Sequence, residues 1–325
     1  MFRHRIVGTF VLAVVTQASA ASNDDFAGTV DIGGRALHLE CRGHGGPTVI
    51  LEAGALSRGD VWSRDKLQPA GARTMVLPGV AAFTRVCAYD RPGTLREVDP
   101  NREPNGPLFV PSRSTPVHQP RTTRDKVNDL HALLAAAKIP GPYVLVGHSA
   151  GGLIARLYAS TYPDDVVGMV LIDTTPENVW LRFQEALPPA QWKTFEALTV
   201  KNQELLDAYP EAEQWWTAPL ADDASTRQVR EARARAPMRP IPLFILGHGI
   251  PFPAPFAGWP ADRMEAIMSK LRDDLATMTP DAKVVVAKQS GHDIHQDQPD
   301  LVIAAIRQVV DAVRDPKTWR IAPST

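Results

Sequence analysis

The sequence predicts an α/β fold in which a mainly parallel sheet is flanked by helices, with a helical cap inserted between core strands. Three observations carry this expectation. Short apolar runs rich in β-branched residues recur along the chain, as strands buried on both faces require. Segments with helical apolar spacing lie between them, and strands that alternate with helices build parallel sheets. One long stretch, 176–240, breaks that rhythm with a helical pattern of its own. The length of 325 residues and the 44% hydrophobic content suit one large domain with insertions.

The first twenty residues combine a basic start (Arg3, His4, Arg5), an apolar run from Ile6 to Val15, and the small residues Ala18-Ser19-Ala20. This is the pattern of a cleavable signal peptide over 1–20. The apolar run is about ten residues, whereas a bilayer span takes roughly twenty, so no stable membrane anchor is expected after cleavage. The mature chain is therefore expected to start near Ala21 and to be exported, to the periplasm or the extracellular space. With 35 Lys+Arg against 36 Asp+Glu, no global field draws it to nucleic acid or anionic lipid. Small-molecule chemistry is the better expectation.

The first part of the core spans 21–175. Gly28 to Cys41 alternates around Gly33-Gly34 and reads as a hairpin at a sheet edge. The strand-like runs that follow are Thr48 to Glu52, Val86 to Tyr89, Tyr143 to Val146 and Val166 to Ile172. Between them, Thr123 to Lys138 places Val127, Leu130, Leu133, Leu134 and Ala137 at helical spacing, and Pro140-Gly141-Pro142 stops the run. Arg96 to Pro120 holds six prolines and little periodicity, so it reads as a long loop. The cap, 176–240, carries helices near Pro189 to Tyr209 and Asp222 to Ala236. It holds four of the seven tryptophans, which suffice for a small aromatic core. The second part of the core, 241–325, returns to strands at Leu243 to Leu246 and Lys283 to Ala287. A helix from about Asp300 to Arg314 follows.

The most informative stretch is Gly147-His148-Ser149-Ala150-Gly151, set between the strand ending at Val146 and a following helix. A serine on such a turn is held in strained backbone with its hydroxyl above the sheet, and the glycines let strand and helix approach. Together with Leu51-Glu52-Ala53-Gly54 and Tyr89-Asp90-Arg91 at two strand ends, this resembles the serine-nucleophile, esterase- and lipase-like branch of the α/β-hydrolase family. The resemblance covers 48–175 and 241–313 and implies ester-type hydrolysis without cofactor or metal, on a small-molecule substrate.

It also implies a set of roles. Ser149 is the nucleophile. His292, in a Ser-Gly-His context after the last strand, is the general base. His295 and His148 are its rivals, and His292-x-x-His295 lacks the third ligand a metal pair would need. The oxyanion donors are the backbone amides of Ala150 and Ala55. The acid departs from the family pattern, because no carboxylate follows Leu246-Gly247-His248 until Asp262. Asp173, ending the preceding strand, is preferred, with Asp262 the alternative. Cys41 and Cys87 fall on strands that this fold makes neighbours, either bridged or as two buried thiols.

An amide or peptide hydrolase of the same fold is the nearest alternative activity. Epoxide hydrolases and haloalkane dehalogenases use an Asp nucleophile, which Ser149 argues against. A ligand-binding member without catalysis would be expected to have lost Ser149 or His292, and both are present.

Overall fold

The computed structural model describes residues 25–99, 105–200 and 203–319, so the expected signal peptide lies outside the described residues. In chain order the elements begin with β1 (Phe26–Asp31), β2 (Ala36–Arg42), β3 (Thr48–Glu52), α1 (Val76–Ala81) and β4 (Val86–Tyr89). Then come β5 (Leu95–Glu97), β6 (Phe109–Pro111), α2 (Thr123–Ala136), β7 (Tyr143–His148), α3 (Gly151–Thr161) and β8 (Val166–Ile172). Four helices follow: α4 (Val179–Ala186), α5 (Pro189–Val200), α6 (Gln203–Ala208) and α7 (Ala224–Arg235). The chain closes with β9 (Leu243–His248), α8 (Ala261–Ala276), β10 (Lys283–Ala287), α9 (Ile294–Asp297) and α10 (Pro299–Arg314).

Eight strands form one sheet in the order β1-β2-β4-β3-β7-β8-β9-β10. Only β2 runs against its neighbours β1 and β4, and every other pairing is parallel. Strands β3, β4, β7 and β9 are buried at every position. Successive side chains point to opposite faces, so both faces need cover. Val49, Leu51, Val144 and Val146 pack with Val76, Leu77 and Val80 of α1 and with Val302, Ile306 and Val309 of α10. Ile50 and Leu145 face the other way, onto Leu130, Leu133 and Leu134 of α2 and Leu153, Ile154 and Leu157 of α3.

The sequence reading needs correcting at β10, expected to be buried on both faces. It is the edge strand, paired with β9 alone, and Val284 and Val286 are exposed while Val285 and Ala287 pack inward. At an edge only one face of a strand has to be covered. The proline-rich loop is also more ordered than expected, because β5 and β6 pair within it as a short antiparallel hairpin. Pro100 and Pro104 fall outside the described residues.

Helix α2 starts where Thr122 and Asp125 form a reciprocal capping box and ends just before Pro140. Between β8 and β9, helices α4 to α7 carry an aromatic cluster. Trp180, Phe183 and Phe195 make ring contacts of 5.6–6.3 Å, and Trp259 joins from beyond β9, 5.1 Å from Phe195. Glu177 anchors this segment to the core: it pairs with buried Arg156 of α3 and accepts from Arg233 of α7 at 2.7 Å.

Cys41 and Cys87 stand directly opposite in the β2–β4 pairing and are joined as a disulfide. The bond ties the antiparallel end of the sheet to its parallel centre. Cross-links of this span contribute about 2–4 kcal/mol. The Cys41→Ala/Cys87→Ala double variant should lose about that much in urea unfolding, and thiol titration of the denatured, unreduced protein should find no free thiol.

Candidate active site

From β3 the chain steps to β4 on one side and later to β7 on the other, so the strand order reverses between β3 and β7. Loops leaving the carboxyl ends of such a pair diverge and open a crevice, where ligands bind in open α/β sheets. Here those loops are 53–58 and the turn holding Ser149.

Ser149 sits between β7 and α3 with φ of 52°, a left-handed conformation that a serine adopts only when its surroundings impose it. The glycines around it make the turn sterically feasible. A Cβ on Gly147 would lie 2.6 Å from the Gly152 Cα, and one on Gly151 would lie 2.5 Å from the Ala53 carbonyl oxygen. The turn is fastened to its neighbour: the Ser149 amide donates to the Ile172 oxygen at 3.1 Å, and the Ser149 oxygen accepts from the Thr175 amide at 3.0 Å.

Asp173 follows β8 with φ of 39°. Its Oδ2 lies 2.6 Å from Nδ1 of His292 on the loop after β10. A carboxylate acceptor there places the ring proton on Nδ1 and leaves Nε2 as the basic nitrogen. Asp262 is exposed in the first turn of α8 and makes no hydrogen bond to His292 among the described residues. The geometry therefore pairs His292 with Asp173 rather than with Asp262. Ser149 and His292 are both half-buried. The Ser149 hydroxyl has no hydrogen bond among the described residues; such bonds often form only when substrate closes the site.

The sequence reading missed His248. It ends β9, at the strand end where the missing carboxylate was noted, and its Nδ1 lies 2.6 Å from Asp173 Oδ1. Its Nε2 lies 2.9 Å from Glu265 of α8. Burial pulls the His248 imidazole down, but the bonds and charges of Asp173 and Glu265 prevail and raise it to about 9. His248 is thus a cation at neutral pH. Burial likewise opposes ionisation of Asp173, and the hydrogen bonds from His248 and His292 outweigh it, holding the carboxyl well below the usual range.

Neither rival to His292 reaches Asp173 among the described residues. His148 donates from Nε2 to the His292 carbonyl oxygen at 3.0 Å, and its Nδ1 faces Gly54, where a Cβ would approach to 2.9 Å. Burial, then His295 and His292, hold it well below the ordinary histidine range. His295 is buried against Trp62 and His148, with both ring nitrogens unpaired among the described residues, and burial lowers it to about 3. Donor atoms of His148, Asp293 and His295 lie within 4.8 Å of one another. With Nε2 of His148 donating to the His292 oxygen, only Nδ1 keeps a lone pair, and it faces Gly54.

The expected oxyanion donors lie either side of the crevice. The amides of Ala55 and Ala150 have no intramolecular acceptor among the described residues, whereas Leu56 donates to Glu213 at 3.1 Å and Ser57 to the Gly54 oxygen at 3.2 Å. Gly54 keeps the loop against Ser149, because a Cβ there would lie 3.2 Å from the Ser149 Cβ.

A family model described as the alpha/beta hydrolase family matches residues 33–305. The chain belongs to the alpha/beta hydrolase family. As a member it is a hydrolase, and the mainly parallel sheet flanked by helices is the fold that the sequence predicts. Among curated proteins it is 24% identical to "Probable transporter efuK" of Hormonema carpetanum, over 87% of this chain and 42% of that one. The chain thus spans less than half of that relative's length. It is also 24% identical to the uncharacterized protein YqjL of Bacillus subtilis, over 86% of this chain and 90% of the other. Of solved structures, a thermophilic esterase from Thermogutta terrifontis superposes with a TM-score of 0.50 at 20% identity, covering 89% of this chain and 99% of that one. The haloalkane dehalogenase DatA from Agrobacterium tumefaciens C58 does so with 0.55 at 14%, covering 89% and 97%. Such likenesses share a fold across different chemistries, so the reaction of this hydrolase is argued from its own residues.

The His248 geometry has a consequence for stability. Its pKa in the fold is raised from 6.5 to about 9, so its contribution is complete below pH 6.5 and disappears as pH rises through 9. The contribution amounts to at most about 3 kcal/mol. Chemical unfolding of the wild type should show stability falling between pH 7 and pH 10, and His248→Gln should flatten that decline.

Proposed function

We propose that this hydrolase cleaves carboxylic ester-type bonds of a small-molecule substrate through an acyl-enzyme on Ser149. The observation that carries the reading is the 2.6 Å contact between Asp173 Oδ2 and His292 Nδ1 at the sheet edge that also holds Ser149 in its strained turn. Asp173 fixes the tautomer and stabilises the imidazolium. His292 Nε2 takes the hydroxyl proton as Ser149 Oγ attacks the carbonyl carbon. The amides of Ala55 and Ala150 receive the negative charge that develops on the carbonyl oxygen. Collapse returns the proton from His292 to the departing alkoxide, and water, deprotonated by the same nitrogen, releases the acid.

A cavity of about 400 Å³ opens beside the oxyanion loop, walled by Leu56, Leu95, Leu108, Phe109, Leu205 and Tyr209. These apolar walls come from the loop itself, the proline-rich segment and α6, while Arg58, Asp60, Arg64, Lys66, Arg96 and Glu97 line the rest, which favours an acyl or alcohol group with both an apolar and a polar part. Segment 176–240 serves in this reading as the lid over the site. Export to the periplasm or the extracellular space is supported by the pattern of residues 1–20 and by the disulfide, which persists in oxidising compartments. No helix among the described residues is long and apolar enough to cross a membrane.

Hydrolysis of a short p-nitrophenyl ester tests the reaction. Ser149→Ala should lower kcat by at least about 10³-fold and Asp173→Asn by about 10²–10⁴-fold, while Asp262→Asn should leave it unchanged. Turnover of the matching p-nitroanilide at a rate similar to the ester would favour the amide hydrolase. A folded preparation that an active-site phosphonate does not label would favour a binding protein.

A further inference from the structure

Beneath the loop that leaves β3 lies a charged cluster that the proposed reaction does not use. Glu52, Arg91, Lys126 and Glu213 are all at least 96% buried. All five N–H donors of Arg91 are engaged. Nε and Nη2 reach the two Glu213 oxygens at 2.9 and 3.1 Å, and Nη1 reaches Glu52 at 3.3 Å. The remaining two go to backbone, Nη1 to the Ala53 oxygen at 2.9 Å and Nη2 to the Gly54 oxygen at 2.6 Å. Glu213 also takes the Leu56 amide through the same oxygen that binds Nη2.

The Gly54 carbonyl and the Ala55 amide belong to one planar trans peptide, in which C=O and N–H point in opposite directions. A guanidinium that draws the Gly54 oxygen into the interior therefore turns the Ala55 N–H outward, over Ser149. Leu56, next in line, has φ of 61° and its own amide already taken by Glu213. We propose that Arg91 and Glu213 are positioning residues that aim the Ala55 amide at the reacting carbonyl oxygen, Arg91 by clamping the Gly54 oxygen and Glu213 by clamping both Arg91 and Leu56. This rests on the Ser149 reading given above.

Glu213 belongs to the segment inserted between β8 and β9. It is docked by its own amide on the Gly93 oxygen at 2.8 Å, and Gly93 has φ of 81° with no room for a Cβ, which would lie 2.5 Å from the Glu211 oxygen. The insertion therefore reaches into the core as a strut under the oxyanion loop. Lys126 adds a second cation, 3.8 Å from Glu213. Burial outweighs Arg91 at Glu52 and pushes that carboxyl up to about 7, whereas the cations hold Glu213 below the usual range against its burial. The guanidinium thus has one firmly ionised partner, and it is the one from the insertion.

The experiment compares wild type, Glu213→Gln and Arg91→Lys in ester turnover. It also measures their affinity for an alkylboronic acid, which forms a tetrahedral adduct with a catalytic serine, and for the planar amide of the same chain. Both variants should lose about 10–100-fold in kcat with KM within about twofold, since a whole oxyanion donor is worth about 10²–10³. Boronate affinity should fall by the same factor while amide affinity holds. Unchanged boronate affinity in a folded variant, or equal loss of boronate and amide, overturns the proposal. Ser149→Ala binding the boronate as tightly as wild type would instead overturn the nucleophile assignment. Should neither variant fold, a crystal structure of the wild-type adduct decides: a boronate oxygen about 3 Å from the Ala55 nitrogen supports the proposal, and one bonded elsewhere in the loop overturns it.

Discussion

The geometry of the site depends on one carboxylate shared by two imidazoles. Asp173 receives His292 on one oxygen and His248 on the other, each at 2.6 Å, and is almost wholly buried. A buried carboxylate with one neutral partner is tempted to take up a proton. The cationic His248 removes that option and keeps the charge that His292 would need as the proton acceptor of the proposed reaction. Because the two bonds use different oxygens, the carboxylate plane is fixed by β9 and by the β10 loop together. Strand ends from three parts of the chain are thereby held to one position.

Much of this was legible in the sequence, for a physical reason. Parallel strands are buried on both faces, so β3, β4, β7, β8 and β9 announce themselves as unbroken apolar runs, and the glycines flanking Ser149 mark a turn that no other residue could make. The hairpin β1–β2 and helix α2 follow from equally local signals. What escaped was set by partners distant in sequence. His248 is a single polar residue at a strand end, and its role exists only because Asp173 and Glu265 face it. The absence of a carboxylate there was visible; the substitute anchor was not. Helices α1 and α8 and the β5–β6 hairpin lie in stretches whose apolar spacing is weak or broken by proline, and tertiary packing decides them.

The buried Glu52–Arg91–Glu213 cluster shows the same limit from another side. The motifs around Glu52 and Arg91 attracted notice as family resemblance, yet nothing near Glu213 identifies it as a core residue. Removing one member of such a cluster leaves an uncompensated buried charge, which is costly, while the intact cluster need contribute little net stability. Burying so many charges under the short loop 53–58 is thus poorly explained by stability alone. It is better explained by direction: a fork of five fixed donors sets the orientation of two successive carbonyls more tightly than apolar packing could.

That distinction bears on what the inserted segment does. An aromatic-rich insertion over the carboxyl edge of the sheet invites a reading as a lid that only selects substrate, and its own small core around Trp180, Phe183 and Phe195 would fold the same way in that case. Two ionic anchors argue for a closer involvement. Glu177 binds Arg156 on the helix that begins at the Ser149 turn, and Glu213 binds Arg91 beneath the oxyanion loop. Both carboxylates belong to the insertion and both arginines to the core, on the two sides of the crevice between β3 and β7. A segment fastened at those two points cannot move as a free flap without disturbing the backbone that flanks the nucleophile. Through those two anchors the segment holds the two sides of the crevice in register.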